Sequence, residues 1–482
     1  MNLKSYLRNV AYGMLPLCAP VVQATSQEAS NVILINIDDL GWTDLSCNGS
    51  TYYETPNIDK LRSLGIWFSQ AYAGASNSAP SRACMLTGQY GPRHGVYTVG
   101  NPNRGKAQQR RLLSIPNRDL LSDGIQILPR VLHEAGYQTY HVGKWHVTED
   151  PLLNGFDKNV AGNHAGHPTG YFSPYHNANL SDGEAGEFLP DRLGKEAVRL
   201  IEKADRTRPF FLYYATYAVH TPLQAEPELI AKYKAKAPTD AHKNPVYAAL
   251  VEAMDRNVGR VLQAIRDNGL EENTLIIFTS DNGGVYNISR QWPLRAGKGS
   301  FYEGGIRVPL IVYQKGKYEH REINDVSVSQ LDFFPTLVDL IGLDTAQLTL
   351  DGISLAHLLN DGADSSLDER PLFWHFPAYL EGGNKETTDP IFRSRPVSVV
   401  RQGKWKLIEN LEDGRLELYD LFNDESEKED LSVKCPAEKE RLYQVLKDWR
   451  DQVNAPVPTE LNPQYDRKMN EAVKSKKRIN EK

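Results

Sequence analysis

Cysteine is scarce in this 482-residue chain, with four in all: Cys18, Cys47, Cys84 and Cys435. That is too few for a disulfide framework, so a packed core must hold the fold. Long apolar runs are also lacking. No segment beyond the N-terminus approaches the roughly 18 consecutive apolar residues of a membrane span. Positive charge is not in excess either: 55 Lys and Arg stand against 61 Asp and Glu, a net charge of −6. With no basic stripe and no nucleic-acid module, nucleic acid is excluded as a partner class. Anionic ligands are not, because a local cluster of Lys, Arg and His binds anions within an acidic chain. No internal period is visible, which excludes solenoids and propellers. Hydrophobic residues at 40% and charged residues at 24% describe an ordinary globular protein.

The N-terminus carries Lys4 and Arg8, then a short, mostly apolar stretch over 10–22, then small and polar residues. This is the pattern of a secretory signal peptide, expected over residues 1–25, and it predicts export to the periplasm or cell surface. Leu17-Cys18 is a weak lipoprotein site, because a small residue normally precedes a lipidated cysteine.

Apolar runs then alternate with helical patterns. Strands are predicted over 32–37, 138–142, 209–215, 274–279 and 308–312, and helices over 57–64, 191–204, 245–268 and 329–341. Such alternation implies an α/β domain, over 26–365, with a mainly parallel sheet sandwiched by helices. Past about residue 365, short strand-like runs at 371–374, 397–401, 404–408 and 416–419, with a hairpin signal at Asp413-Gly414, precede a helix over 437–452. They predict a smaller C-terminal α+β domain with an antiparallel sheet, over 366–465. The tail from Asp466 to residue 482 is highly charged and expected to be mobile.

In parallel sheets, ligands gather at the carboxyl ends of strands. The first predicted strand ends at Asp38-Asp39, and a later one at Asp281-Asn282, followed by Gly283-Gly284. Three carboxylates and an amide oxygen form a hard, oxygen-only donor set, suited to calcium or magnesium rather than zinc. The two glycines are expected to let the backbone turn tightly around an ion.

Residues 76–90 read SNSAPSRACMLTGQY, with Ser78, Pro80, Ser81 and Arg82 followed by Leu86-Thr87-Gly88. This resembles the signature of the sulfatase family: Cys or Ser, any residue, Pro, a small residue, Arg, then Leu-Thr-Gly. Further motifs occur in family order: Asp38-Asp39-Leu40-Gly41, Gly143-Lys144-Trp145-His146, His220-Thr221-Pro222, Ser280 to Gly284, and Leu294-Arg295-Ala296-Gly297-Lys298-Gly299. Ala296 departs from the family's Arg-Gly-Gly-Lys-Gly type and leaves the lysine in place. The resemblance implies an alkaline-phosphatase-like fold and hydrolysis of sulfate esters. It also implies oxidation of Ser78 to formylglycine (3-oxoalanine) by a maturase of the serine type.

By this resemblance, Asp38, Asp39, Asp281 and Asn282 would hold calcium, with an oxygen at Ser78 also facing it. Arg82 would stabilise the modified side chain, and Lys144 and Lys298 would neutralise the sulfuryl oxygens. His146 would be the base that collapses the sulfated intermediate, and His220 the acid for the leaving oxygen. An ordinary serine hydroxyl is a weak nucleophile; a hydrated aldehyde offers one hydroxyl to attack sulfur and a second whose deprotonation expels sulfate.

For substrate, the loop over 162–175 is dense in His, Tyr and Gly, which suits sugar hydroxyls and faces. His164 and His167 from this loop, with His94, Trp292, Arg295 and His375, are the candidate substrate contacts. Similar sequences are often bacterial carbohydrate sulfatases, so the expected substrate is a sulfated saccharide, cleaved at a terminal galactose or N-acetylgalactosamine sulfate by exo action. Two other readings compete. One is a related phosphatase or phosphodiesterase using unmodified Ser78 or Thr87, which would want two zinc ions and several histidines. The other is an inactive glycan-binding homologue, which would be marked by loss of Ser78, Arg82, Lys144 or His220; none is lost.

Overall fold

A computed structural model describes residues 30–480 of the chain. The leader expected over 1–25, and Cys18 with it, lie outside the described residues.

The centre of the large sheet is β1 (Asn31–Ile37), whose sequence NVILINI is buried throughout. A strand so apolar must be covered on both faces. Alternation divides it between two cores: Ile33, Ile35 and Ile37 join one, Val32 and Leu34 the other. Helices Leu189–Lys203 and Pro245–Asp267 close the first core. Helices Ser78–Thr87, Leu128–Glu134 and Phe333–Leu340 close the second.

The other strands are β2 (Ile66–Phe68), β3 (Gln138–Gly143), β4 (Lys158–Val160), β5 (Phe210–Ala215), β6 (Thr274–Ser280), β7 (Leu310–Tyr313) and β8 (Arg321–Ile323). Their order is β4-β3-β5-β1-β6-β7-β2-β8. β7 runs antiparallel to both its neighbours and every other pairing is parallel. The sheet is therefore mainly parallel, as the sequence pattern predicts. The carboxyl ends of β3, β1 and β6 come out along one edge and deliver Lys144, Asp38-Asp39 and Asp281-Asn282 there.

Beyond it lies an antiparallel sheet of β9 (Leu372–Phe376), β10 (Val397–Gln402), β11 (Trp405–Asn410) and β12 (Arg415–Asp420), in sequence order. Gly414, at φ 70°, turns β11 into β12. Helix Pro436–Gln452 covers one face, its Leu442, Leu446 and Trp449 packing on Phe373, Val400, Leu407 and Leu418. The other face places Trp374, Phe376, Val399 and Ile408 against Phe301, Tyr302 and Ile306. The small sheet thus buttresses the segment that follows Lys298.

The charged tail departs from expectation. Helix Arg467–Asn480 forms there, with Asn470 buried and Lys474 paired to Asp389 at 2.8 Å. Composition marked the segment as unable to build a core of its own, but a ready-made surface supplies the packing.

Candidate active site

Ser78 opens helix Ser78–Thr87, and Gly88, at φ 65°, ends it. The serine is buried, with Oγ 3.1 Å from Asp38 Oδ1 and 3.2 Å from Asn282 Oδ1. One turn on, Arg82 reaches back along the same face. Its Nε donates to Asp281 Oδ2 at 2.9 Å, its Nη2 is ion-paired with the same oxygen at 2.8 Å, and its Nη1 donates to the Lys144 carbonyl at 3.0 Å. Ser81 donates to Gln330, which in turn donates to the Ser280 carbonyl at 2.6 Å, so the serine helix is tied to the end of β6.

Lys144 follows Gly143, where φ is 104° and an added Cβ would lie 1.9 Å from the Ala215 carbonyl. Only glycine fits that close approach. Lys144 Nζ sits 2.8 Å from both oxygens of Asp38, and Lys298 Nζ lies 2.6 and 2.8 Å from the oxygens of Asp39. Neither Gly283 nor Gly284 has a positive φ. A side chain would not fit at either: an added Cβ at Gly283 would lie 1.9 Å from the Gly304 carbonyl, and one at Gly284 would meet Gln291. Ala296 holds φ 61° in the left-handed region, a conformation that glycine adopts without strain.

Three buried carboxylates face three cations, Arg82, Lys144 and Lys298, and the charges sum to zero. Burial pushes the Asp38 carboxyl above its ordinary value, with Lys144 pulling against it. Burial also opposes ionisation of Asp39 and Asp281, but Lys298 and His220 hold Asp39 below the usual range, and Arg82 and Lys144 do so for Asp281. Burial lowers Lys144. His146, at φ 58°, has no hydrogen-bond partner on Nδ1 among the described residues. Burial, and then Lys144 and Arg82, pull it down to about 2, so its imidazole stays neutral. His220 Nδ1 donates to the Thr221 carbonyl at 2.7 Å, which leaves Nε2 facing Asp39 Oδ2 at 3.6 Å.

The donors fit a hard divalent cation. Oxygens of Asp38 and Asn282 converge on Ser78 Oγ, and Asp39 and Asp281 complete an anionic cluster that the cations balance. Adding two positive charges would leave the site cationic, as an anionic ester requires. Among the described residues, the one group of three His, Cys, Asp or Glu side chains close enough for a metal is Asp38, Asp39 and His220. The cluster is therefore not walled by oxygen alone, though one histidine is well short of a two-zinc site.

The substrate candidates divide. His167 stacks parallel on His220, ring centroids 6.2 Å apart, and Gly166 of the same loop packs on the His146 ring. Trp292 is 57% exposed, with Lys428 over its ring. His164 is exposed and paired with Glu149 at 3.1 Å. His94 is not a substrate contact: it is buried against Cys84 Sγ at 3.4 Å, and burial pulls it down to about 3. His375 is not one either, because its ring is locked inside β9 between Ser398 Oγ at 2.7 Å and the Pro456 carbonyl at 2.9 Å. Arg295 is spent on the carbonyls of Glu386 and Glu427 and on the ring of Tyr302. Sequence reasoning missed Gln330, His141, whose Nε2 lies 3.4 Å from the Lys144 carbonyl, and Tyr213, whose hydroxyl touches Arg82. Each sits inside an ordinary strand or helix pattern, so periodicity gave no signal for them.

Comparison with known proteins agrees with this geometry. The family model described as Sulfatase matches residues 30–343, and that described as N-sulphoglucosamine sulphohydrolase, C-terminal, matches 297–455. A sulfatase of Formosa agariphila is 33% identical over 94% of this chain and 95% of its own length. The N-acetylgalactosamine-6-sulfatase of Homo sapiens is 30% identical over 72% of this chain and 68% of its own. The crystal structure of Ps i-CgsB in complex with k-i-k-neocarrahexaose superposes with a TM-score of 0.72 at 29% identity, covering 94% of this chain and 99% of that one. The large sheet and its antiparallel companion make the alkaline-phosphatase-like fold of these enzymes. The chain belongs to the sulfatase family and is a sulfuric ester hydrolase.

Proposed function

We propose that this protein removes sulfate from carbohydrates, acting at the chain end on a galactose or N-acetylgalactosamine sulfate through a formylglycine made from Ser78. The observation that carries this reading is the setting of Ser78 Oγ, within 3.2 Å of both Asp38 and Asn282 at the start of a helix. A helix N-terminus favours the negative charge that gathers there. Support for a saccharide comes from the N-acetylgalactosamine-6-sulfatase relatives and from the saccharide-bound structural neighbour. Support for action at a chain end comes from the loop over 162–175, which walls the site at His146 and His220.

Sulfatases generally use a formylglycine and a metal. Asp38, Asp39, Asp281 and Asn282 would hold calcium, which supplies positive charge beside the sulfuryl oxygens, while the formylglycine supplies a hydrated aldehyde as nucleophile. Arg82, fixed by Asp281, orients the side chain at position 78. Lys144 and Lys298 present ammonium groups from two strand-end loops and bind the oxygens of the sulfate. His146, held neutral, accepts a proton from the side chain at position 78. His220, positioned by its Nδ1 bond to Thr221, delivers a proton from Nε2 to the leaving sugar oxygen. Maturation needs a serine-type formylglycine-generating enzyme, and the leader sends the product to the periplasm or cell surface.

The test is sulfate release from a panel of defined sulfated mono- and disaccharides. The protein is co-expressed with such a maturase, with Ser78→Ala as control. Release from one regioisomer, absent in Ser78→Ala, is expected. Wild-type turnover by Ser78→Ala would remove the serine from the mechanism. Two zinc ions per chain on metal analysis would overturn calcium and favour phosphoryl transfer.

A further inference from the structure

Beside the catalytic cluster, a two-strand ribbon pairs Leu380–Glu381 with Phe392–Ser394. It carries Arg393 across the loop that delivers Lys298. Arg393 Nη1 lies 3.4 Å from the Lys298 carbonyl, and its Nε donates to the Glu381 carbonyl at 3.0 Å. The side chain crosses Gly299, where an added Cβ would sit 3.3 Å from Arg393 Cδ. Among the described residues no carboxylate pairs with this guanidinium, and its Nη2 makes no hydrogen bond. Arg104 lies nearby, its Nε and Nη2 on Glu381 Oε1 at 3.2 and 3.0 Å. The other oxygen, Glu381 Oε2, is buried with no hydrogen-bond partner among the described residues.

Two guanidiniums and one carboxylate leave this cluster with one net positive charge. Withdrawing a cation from water without a counter-charge is unfavourable, and such groups are ordinarily paired. Here the opposite holds: burial, with Arg104 next, lowers the Arg393 pKa against the pull of Glu381 and Asp39. An anion supplied by the ligand would resolve the imbalance, and the planar fork of arginine suits a sulfate or carboxylate.

We propose that Arg393, with Arg104, forms a subsite for a second anionic group on the substrate, distinct from the sulfate that is cleaved. The group is either a second sulfate ester or a uronate carboxylate. This rests on the sulfatase reading and narrows it to saccharides that carry two anionic groups.

Two measurements test it. In the first, calorimetry on Ser78→Ala compares binding of a monosulfated disaccharide with its disulfated and its uronate-containing counterparts. The doubly anionic ligand is expected to bind at least about tenfold more tightly. Arg393→Ala and Arg104→Ala added to Ser78→Ala should erase that preference, and Arg393→Lys should restore part of it. Which counterpart is preferred distinguishes sulfate from carboxylate. In the second, the matured enzyme is assayed on the same set, and Arg393→Ala should raise KM more than it lowers kcat, with the larger loss on the doubly anionic substrate. Equal affinity for all three ligands, or equal losses on all three in both arginine variants, overturns the subsite. A binding preference without any sulfate release would keep the subsite and refute the sulfatase reading instead.

Discussion

Ser78 is small, buried and hydrogen-bonded to two acceptors, of which Asp38 Oδ1 is also held by Lys144. Ser78→Ala is therefore expected to change stability by only about 1 kcal/mol while lowering turnover by about 10⁴-fold or more. Thermal unfolding and sulfate release on the same sample check both. Lys144 behaves differently, because it is the cation paired with both oxygens of the fully buried Asp38. Lys144→Ala leaves that carboxylate without its nearest cation, which costs about 3–5 kcal/mol. Calcium should raise the Tm of this variant more than that of the wild type, since the ion then supplies the missing charge. An equal calcium shift in both proteins would separate Lys144 from the metal cluster. Among the sequence-read residues, those adjoining the strand-end motifs converge in space. His94 and His375 do not, because a histidine in a loop and a histidine in a strand look alike until the neighbours are known.

At the scale of elements, β3 ends on a backbone approach that admits no side chain. Gly143→Ala would press a methyl into the Ala215 carbonyl at a φ that L-residues avoid. The expected loss is about 3 kcal/mol or more, read as a lower denaturant midpoint. Displacement of Lys144 should lower turnover with it. In β9, burial holds the His375 pKa down at about 4, against an ordinary value of 6.5. The unfolded chain thus binds this proton before the folded one does. The neutral ring's contribution is full above pH 6.5 and declines as the pH falls toward 4. Between pH 7 and pH 5 the loss from this one group is about 2 kcal/mol. Chemical denaturation at the two pH values should show a gap between wild type and His375→Gln that shrinks by that amount. The turn at Asp413-Gly414 and the strands on either side were legible because a hairpin is a local event. The helix from Arg467 was not, because its polar and ionic partners, Arg395 and Asp389 among them, lie 75 or more positions earlier in the chain.

For the whole molecule, the catalytic cluster joins the ends of separate strands, so an ion bound there ties together β1, β6 and the serine helix. A ligand that binds only the folded state stabilises it by RT ln(1 + [L]/Kd), about 2.7 kcal/mol at a hundredfold excess over Kd. For a chain of this size, that corresponds to a Tm shift of roughly 3 °C. Removal of metal by a chelator, verified by elemental analysis, should lower Tm by that order and be reversed by calcium. No change after verified removal would count against the cluster as a metal site. The small antiparallel sheet adds a second kind of coupling, since its inner face packs on Phe301, Tyr302 and Ile306, just beyond Lys298.

The sequence by itself determined the class of fold and the kind of chemistry. Both are written locally, in the 3.6 and 2.0 periods of helices and strands and in short motifs whose residues act together. The run from Ser78 to Gly88, and the paired Asp38-Asp39 and Asp281-Asn282, belong to this class. Only the tertiary structure decided which charges neutralise one another, that Gly283 and Gly284 leave room for the Gly304 carbonyl and for Gln291, and that Arg393 stands over the Lys298 loop with, among the described residues, no carboxylate of its own. Those outcomes depend on contacts between residues far apart in the chain, and electrostatic pairing and burial follow distance in space, which no local pattern encodes.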